Sequence, residues 1–314
     1  METIDDEIID EAQRFIDEAN GSDKPFFLWF NTTGMHFRTH AADEIRGQAG
    51  RWQSEYHDAM VEHDKRIGKM LDKLDELGIA DDTIVLYSTD NGVHMNSWPD
   101  AGMTPFRSEK NSMWEGAYRV PSLARWPGHF PAGVVLNGIM SHNDWFPTLL
   151  AASGNPDIAE QLKLGTELAG TTYKVHLDGN DQLAWLTGEA EESARDHFFY
   201  VTDDGDLAAM RFDNWKFVFM EQRVPGTMQI WAEPPVPLRL PKIFNLRTDP
   251  FERADITSNT YWDWLIAHAW LLVPAQTYAA RMVQTLKEFP PRQAPASFSI
   301  DQVVEKLQAG ITSD

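Results

Sequence analysis

The chain has 314 residues, enough for one large domain or two with a sizeable core, and its 42% hydrophobic and 24% charged residues are ordinary for a globular protein. A formal charge of −21 argues against nucleic acid or an anionic membrane as partner, because the field repels polyanions. The absence of cysteine excludes disulfides and thiolate metal sites, and with neither a spanning-length apolar run nor a signal peptide the chain as it stands is expected to be cytoplasmic.

From residue 3 to 20, Ile4, Ile8, Ile9, Ala12, Phe15, Ile16 and Ala19 recur at helical spacing, and Gly21 to Pro25 end the helix. Phe26-Phe27-Leu28-Trp29-Phe30 reads as a buried strand that runs out into Asn31-Thr32-Thr33-Gly34-Met35-His36. Trp52 to Leu77 forms a long helix with Met60, Ile67, Met70, Leu71 and Leu74 on its apolar stripe and Gly78 placed to stop it. Its polar face, with His57 and His63, reads as solvated or locally packed. Asp81 and Asp82 turn the chain into a second strand, Ile84-Val85-Leu86-Tyr87, which ends in Ser88-Thr89-Asp90-Asn91-Gly92. Strand, helix, strand in this order implies a right-handed parallel crossover, the unit of a doubly wound α/β domain.

An Asp and an Asn at the carboxyl end of such a strand place two hard oxygen donors where α/β sheets bind ligands, and such donors suit Ca²⁺ or Mg²⁺. Asn-Gly is also an ordinary turn dipeptide, so the motif gains its weight from the residues downstream. Lys110 stands five residues before Glu115 in Lys-Asn-Ser-Met-Trp-Glu-Gly-Ala-Tyr-Arg-Val-Pro, and a further apolar run leads to Arg125-Trp126-Pro127-Gly128. Asp144 to Ser153 is a helix with Pro147 in its first turn and Gly154 closing it. Past Gly188, His197 to Val201, Leu207 to Phe212, Trp215 to Met220 and Lys242 to Leu246 are short strands between turn residues, a pattern of a small antiparallel sheet. Residues 260 to 289 are helical, Trp-rich and interrupted by Pro274, and residues 299 to 309 form a last amphipathic helix.

S-T-D-N-G, K-x-x-x-x-E-G-x-x-R-V-P and R-W-P-G, in that order, resemble the second half of the sulfatase family, close to the bacterial arylsulfatases. Phe244-Asn245-Leu246-Arg247-Thr248-Asp249-Pro250 followed by Glu252 is similar to the family's C-terminal F-x-L-x-x-D-P-x-E signature, and Val175 to Asn180 to one of its structural loops. Ala117 stands where the family usually has a second Gly. The resemblance implies an alkaline-phosphatase-like α/β fold with a mostly parallel sheet between helices, spanning residues 1 to 188. A small antiparallel-sheet subdomain with terminal helices would occupy residues 189 to 314.

It also implies an arylsulfatase-type hydrolysis of sulfate esters. His36 would contact the sulfate and act as general acid, with His40 a weaker alternative, and Lys110 would be the fixed positive charge on the sulfate oxygens. Asp90 and Asn91 would ligate Ca²⁺. Glu115, Arg119 and Pro121 would position Lys110, His94 could line the pocket, Arg107 could stand outside it, and His142 and Asp144 would cap and pack a helix start. The family's nucleophile is a formylglycine made from Cys, or sometimes Ser, in C/S-x-P/A-x-R. This chain has no cysteine, Ser97-Trp98-Pro99 lacks the Arg, and Ser122-Leu123-Ala124-Arg125 has it one place early.

The family's first strand with two more Asp ligands, its nucleophile helix and its Lys-x-His pair would precede Met1, so a fragment with a partial Ca²⁺ site, inactive alone, is expected. Loss of a central strand would leave open sheet edges prone to association. Three alternatives stay open: a non-catalytic remnant or binding module, one half of a split sulfatase completed by another chain, and a related phosphatase or phosphonate hydrolase.

Overall fold

A computed structural model describes residues 3–22, 24–36, 38–97, 99–100 and 102–292; the helix expected at 299 to 309 lies outside these. In chain order the elements begin with α1 (Ile4–Asn20), α2 (Glu55–Glu76), β1 (Val85–Ser88), α3 (Glu115–Tyr118) and β2 (Ser122–Arg125). Next come α4 (Trp145–Ala152), α5 (Ile158–Leu164), β3 (Thr166–Leu168), β4 (Thr171–Tyr173) and α6 (Leu183–Thr187). The series ends with β5 (His197–Val201), β6 (Leu207–Phe212), β7 (Trp215–Glu221), α7 (Gln229–Ala232), β8 (Val236–Asn245), α8 (Ala254–Thr257), α9 (Tyr261–Ala267) and α10 (Leu272–Glu288). They fall into two compact units, one of Met1–Leu136, Leu186–Glu191 and Gln222–Pro234, the other of Asn137–Trp185, Glu192–Glu221 and Pro235–Asp314.

In the first unit α1 and α2 share a core of Ile9, Ala12, Ile16, Met70 and Leu74, against which Phe26, Leu28, Phe30 and Val85 pack. Three acidic residues in the first turn of α1, Asp5, Asp6 and Glu7, suit the positive end of its dipole. The second helix starts at Glu55 rather than Trp52, because Ser54 and His57 form a capping box there, and Gly78 at φ 68° ends it. Of its expected stripe, Met70 and Leu74 reach the core and Ile67 and Leu71 are half-buried, but Met60 does not reach it. Met60 is 44% exposed, whereas Glu62, His63 and Arg66 are buried, because ion pairs and hydrogen bonds satisfy them.

The run Phe26 to Phe30 is extended but joins no ladder, which corrects the expected strand. Only one of its faces is covered: Phe27 and Trp29 are 72% and 79% exposed, while the alternate residues meet the core. The expected parallel crossover therefore pairs no strands among the described residues. Among the described residues every paired strand is antiparallel, and β1 pairs with β2 from Val85↔Arg125 to Ser88↔Ser122.

The second unit holds the antiparallel sheet β5-β6-β7-β8, with Ala209, Met210, Phe217, Val218, Ile243 and Phe244 fully buried, and a separate β3-β4 hairpin. Here β8 begins at Val236, earlier than the apolar run suggests, because a register shift between Val218 and Met220 carries the ladder past Pro241. Pro274 does not interrupt a helix but sits in the first turn of α10, where its missing N–H costs nothing. Glu252 of the D-P-x-E signature, fully buried, pairs with the equally buried Lys216 at 2.7 Å. Asp144 caps the turn before α4 and lies 2.6 Å from Arg195, so it is the packing residue expected of it.

Candidate active site

The strand end that carries Asp90 and Asn91 is fixed by backbone contacts that tolerate no side chain. The N–H of Gly92 donates to the Ala117 carbonyl at 2.8 Å, and a Cβ on Gly92 would lie 1.8 Å from the Gly116 carbonyl oxygen. Gly116 in turn donates to the Arg107 carbonyl at 2.8 Å, and its own Cβ would lie 2.3 Å from that oxygen. The glycines of D-N-G and E-G are therefore one packing device: three backbone segments stacked at contact distance. Ala117 meets Gly92 through its carbonyl, so its methyl is accommodated there.

The same stack delivers Lys110, whose backbone N–H donates to the Val93 carbonyl at 3.1 Å, two residues past Asn91. Ser108 and Asn111, on either side of it, take φ of 61° and 67°, strained for side-chain-bearing residues and held by their surroundings. Glu115, 1% exposed, binds Arg119 Nε at 2.8 Å and closes this segment, and Arg107 lies 3.5 Å over the Trp114 ring. Glu115 and Arg119 thus pair within one helical turn, five residues and more beyond Lys110.

His94 joins the group. Its imidazole is held below the usual histidine range, first by burial, with nearby Lys110 and His36 pushing the same way and Glu109 pushing against them. The His94 imidazole thus feels the charge of both Lys110 and His36. Asn96 N–H donates to His94 Nδ1 at 3.0 Å, and Glu109 lies 3.4 Å from the same nitrogen. Glu109 itself, fully buried, accepts from the backbone N–H groups of Met95 and Gly226. Sequence reasoning missed this residue, since a Glu before a loop Lys carries no signal of burial.

His36 sits on the loop after residue 30, between Met35 at φ 68° and Arg38 at φ 63°. Its neighbour Thr39 donates to the His36 carbonyl. His40 turns elsewhere: it lies 3.7 Å from Glu55 and lines a narrow pocket with Asp5, Glu62 and Arg66. Asp90 is exposed and Asn91 half-buried. Among the described residues no group of three or more His, Asp or Glu stands together as a metal cluster. The pair is chemically suited to a hard divalent ion but supplies two donors of the six to eight that Ca²⁺ takes.

A family model described as Sulfatase matches residues 1–155. Rattus norvegicus N-acetylgalactosamine-6-sulfatase is 31% identical over 81% of this chain and 49% of its own length. Mus musculus steryl-sulfatase is 31% identical over 80% of the chain and 40% of its own. The chain thus spans about half the length of the curated relatives it matches. Among solved structures, the PsFucS1 sulfatase from Pseudoalteromonas sp. superposes with a TM-score of 0.76 at 30% identity, over 93% of this chain and 55% of that one. The Ps i-CgsB structure, at 23% identity and TM-score 0.69, shares the fold.

Proposed function

The chain belongs to the sulfatase family, with the family's α/β fold, and on that premise we propose that it carries the anion-binding half of a sulfuric ester hydrolase site. The observation that carries the reading is the backbone hydrogen bond from the Lys110 N–H to the Val93 carbonyl at 3.1 Å, which holds the Lys110 segment beside the Asp90-Asn91 strand end. In a protein whose net charge is −21, a cluster of basic side chains is what an anionic ester requires locally. Lys110 supplies fixed positive charge to the sulfate oxygens, worth most where water is excluded. His36 gives its proton to the departing ester oxygen. Burial pushes the His94 imidazole below the usual histidine range, which disfavours a further charge there.

Asp90 and Asn91 would hold part of a Ca²⁺ shell, and a cation there would withdraw charge from the sulfate. The chain contains no cysteine, and neither Ser97 nor Ser122 stands in the C/S-x-P/A-x-R pattern, so we assign the nucleophile to residues outside it and expect no turnover by the chain alone. A second reading, completion by another polypeptide, is favoured by the uncovered face of residues 26 to 30 with its exposed Phe27 and Trp29.

Hydrolysis of 4-nitrophenyl sulfate with Ca²⁺, by the chain alone and joined to the sequence encoded upstream, tests both. The joined protein should turn over, and its Lys110→Ala variant should lose about a hundredfold or more in kcat. Turnover by the chain alone, or an unaffected Lys110→Ala rate, would remove the assignment.

A further inference from the structure

The loop that presents His36 is gripped by a carboxylate that the chemistry above does not use. Asp5, in the first turn of α1, is 3% exposed. Its Oδ1 accepts from the Thr33 N–H at 2.6 Å and from the Thr33 hydroxyl at 2.8 Å, and its Oδ2 accepts from the Gly34 N–H at 2.8 Å. An acid in the first turn would ordinarily serve its own helix end; this one serves a loop 28 residues away. The fit has no slack, since a Cβ on Gly34 would fall 2.9 Å from Asp5 Oδ2.

Buried Arg66 stands behind Asp5, its Nη1 3.8 Å from Oδ2, and is itself fixed by Asp6 and Glu62 at 2.8 Å each. One residue earlier, Thr32 Oγ1 lies 3.3 Å from Nδ1 of buried His63, whose Nε2 lies 3.1 Å from the Tyr87 hydroxyl of β1. Three consecutive loop residues are thus tied to α1, α2 and the strand leading to Asp90. The left-handed Met35 and Arg38 that flank His36 need such bracing, because strained backbone persists only where its surroundings over-determine it.

We propose that Asp5 is a positioning residue for His36: its carboxylate clamps Thr33 and Gly34 and so fixes the loop that carries the imidazole. The proposal rests on the reading of His36 as a sulfate contact and deepens it. Charge-assisted hydrogen bonds to buried carboxylates are the strong kind, and Asp5 accepts three from two residues.

The test uses the full chain, with amide hydrogen exchange followed by NMR and the His36 ring signals titrated with sodium sulfate. In Asp5→Ala, exchange at Thr33 and Gly34 should rise roughly ten- to hundredfold, and the sulfate response of His36 should weaken or vanish. Asp6→Asn, which disturbs Arg66 but not the loop, should leave both as in the parent. If Asp5→Ala fails to fold, Thr33→Val removes the hydroxyl bond alone and should still raise Gly34 exchange several-fold. Unchanged exchange in the variants, with the parent's sulfate response intact, overturns the clamp alone. A parent whose His36 ignores sulfate overturns the site reading and the positioning role with it.

Discussion

His63 shows how a single side chain couples the site to stability. Burial is the main force pushing its imidazole below the usual range, with Asp5 and Asp64 opposing and Arg66 adding to the push. The folded chain therefore refuses a proton that the unfolded chain accepts. Stability is full above the unfolded pKa, taken as 6.5, and falls as the pH drops through the lowered folded value. His94, lowered chiefly by burial as well, acts in the same direction. We expect the urea midpoint of the parent to decline between about pH 7.5 and 5.5, with His63→Gln less stable at both but with a shallower decline. Equal slopes for the two proteins would show that His63 does not set the acid limb. Nothing in the sequence distinguishes this histidine from His57 on the same helix; only the partners Thr32 and Tyr87, distant in sequence, make one a buried brace and leave the other in a cap.

At the scale of elements, glycine separates positions that look alike in sequence. Gly116→Ala would put a methyl 2.3 Å from one backbone oxygen and 2.4 Å from another, so the strand-end stack must open. A loss of about 3 kcal/mol or more is expected, enough to unfold a marginal unit. Gly68, inside α2, has nothing within 4 Å of a built Cβ. Gly68→Ala should therefore stabilise by about 0.5–1 kcal/mol through helix propensity. Urea midpoints decide both, and a tolerated Gly116→Ala would dismiss the stack. The motif residues were legible through their resemblance to the sulfatase family, and the C-terminal strands because each lies between turn residues. The stripe of α2 was legible only in part: Met70 and Leu74 reach the core as expected, whereas the burial of His63 and Arg66 depends on Thr32, Tyr87 and Asp6, distant in sequence, with Glu62 held by Arg66. Residues 26 to 30 misled for the converse reason: five consecutive apolar side chains look buried on both faces, and whether the second face is covered depends on a neighbour the sequence does not announce.

That uncovered face sets a contest at the scale of the whole molecule. Phe27 and Trp29 project from extended backbone with no ladder partner, an arrangement that pairs with any strand brought alongside. The charge of −21 opposes the approach of a second copy. Repulsion between like-charged copies acts over a Debye length, about 10 Å at 0.1 M salt and about 3 Å at 1 M, whereas burial of two aromatic rings is insensitive to this screening. Salt should therefore decide the outcome. Sedimentation velocity on the chain is expected to give a monomer at about 0.01 M salt and concentration-dependent association at about 0.5 M. Trp29→Lys adds a charge at the centre of the patch and removes its largest ring, so this variant should stay monomeric at both. Association that persists in Trp29→Lys would move the contact to another surface. A parent monomeric at high salt would mean that the edge is too short to pair without a dedicated strand, which favours completion by one specific polypeptide over self-association.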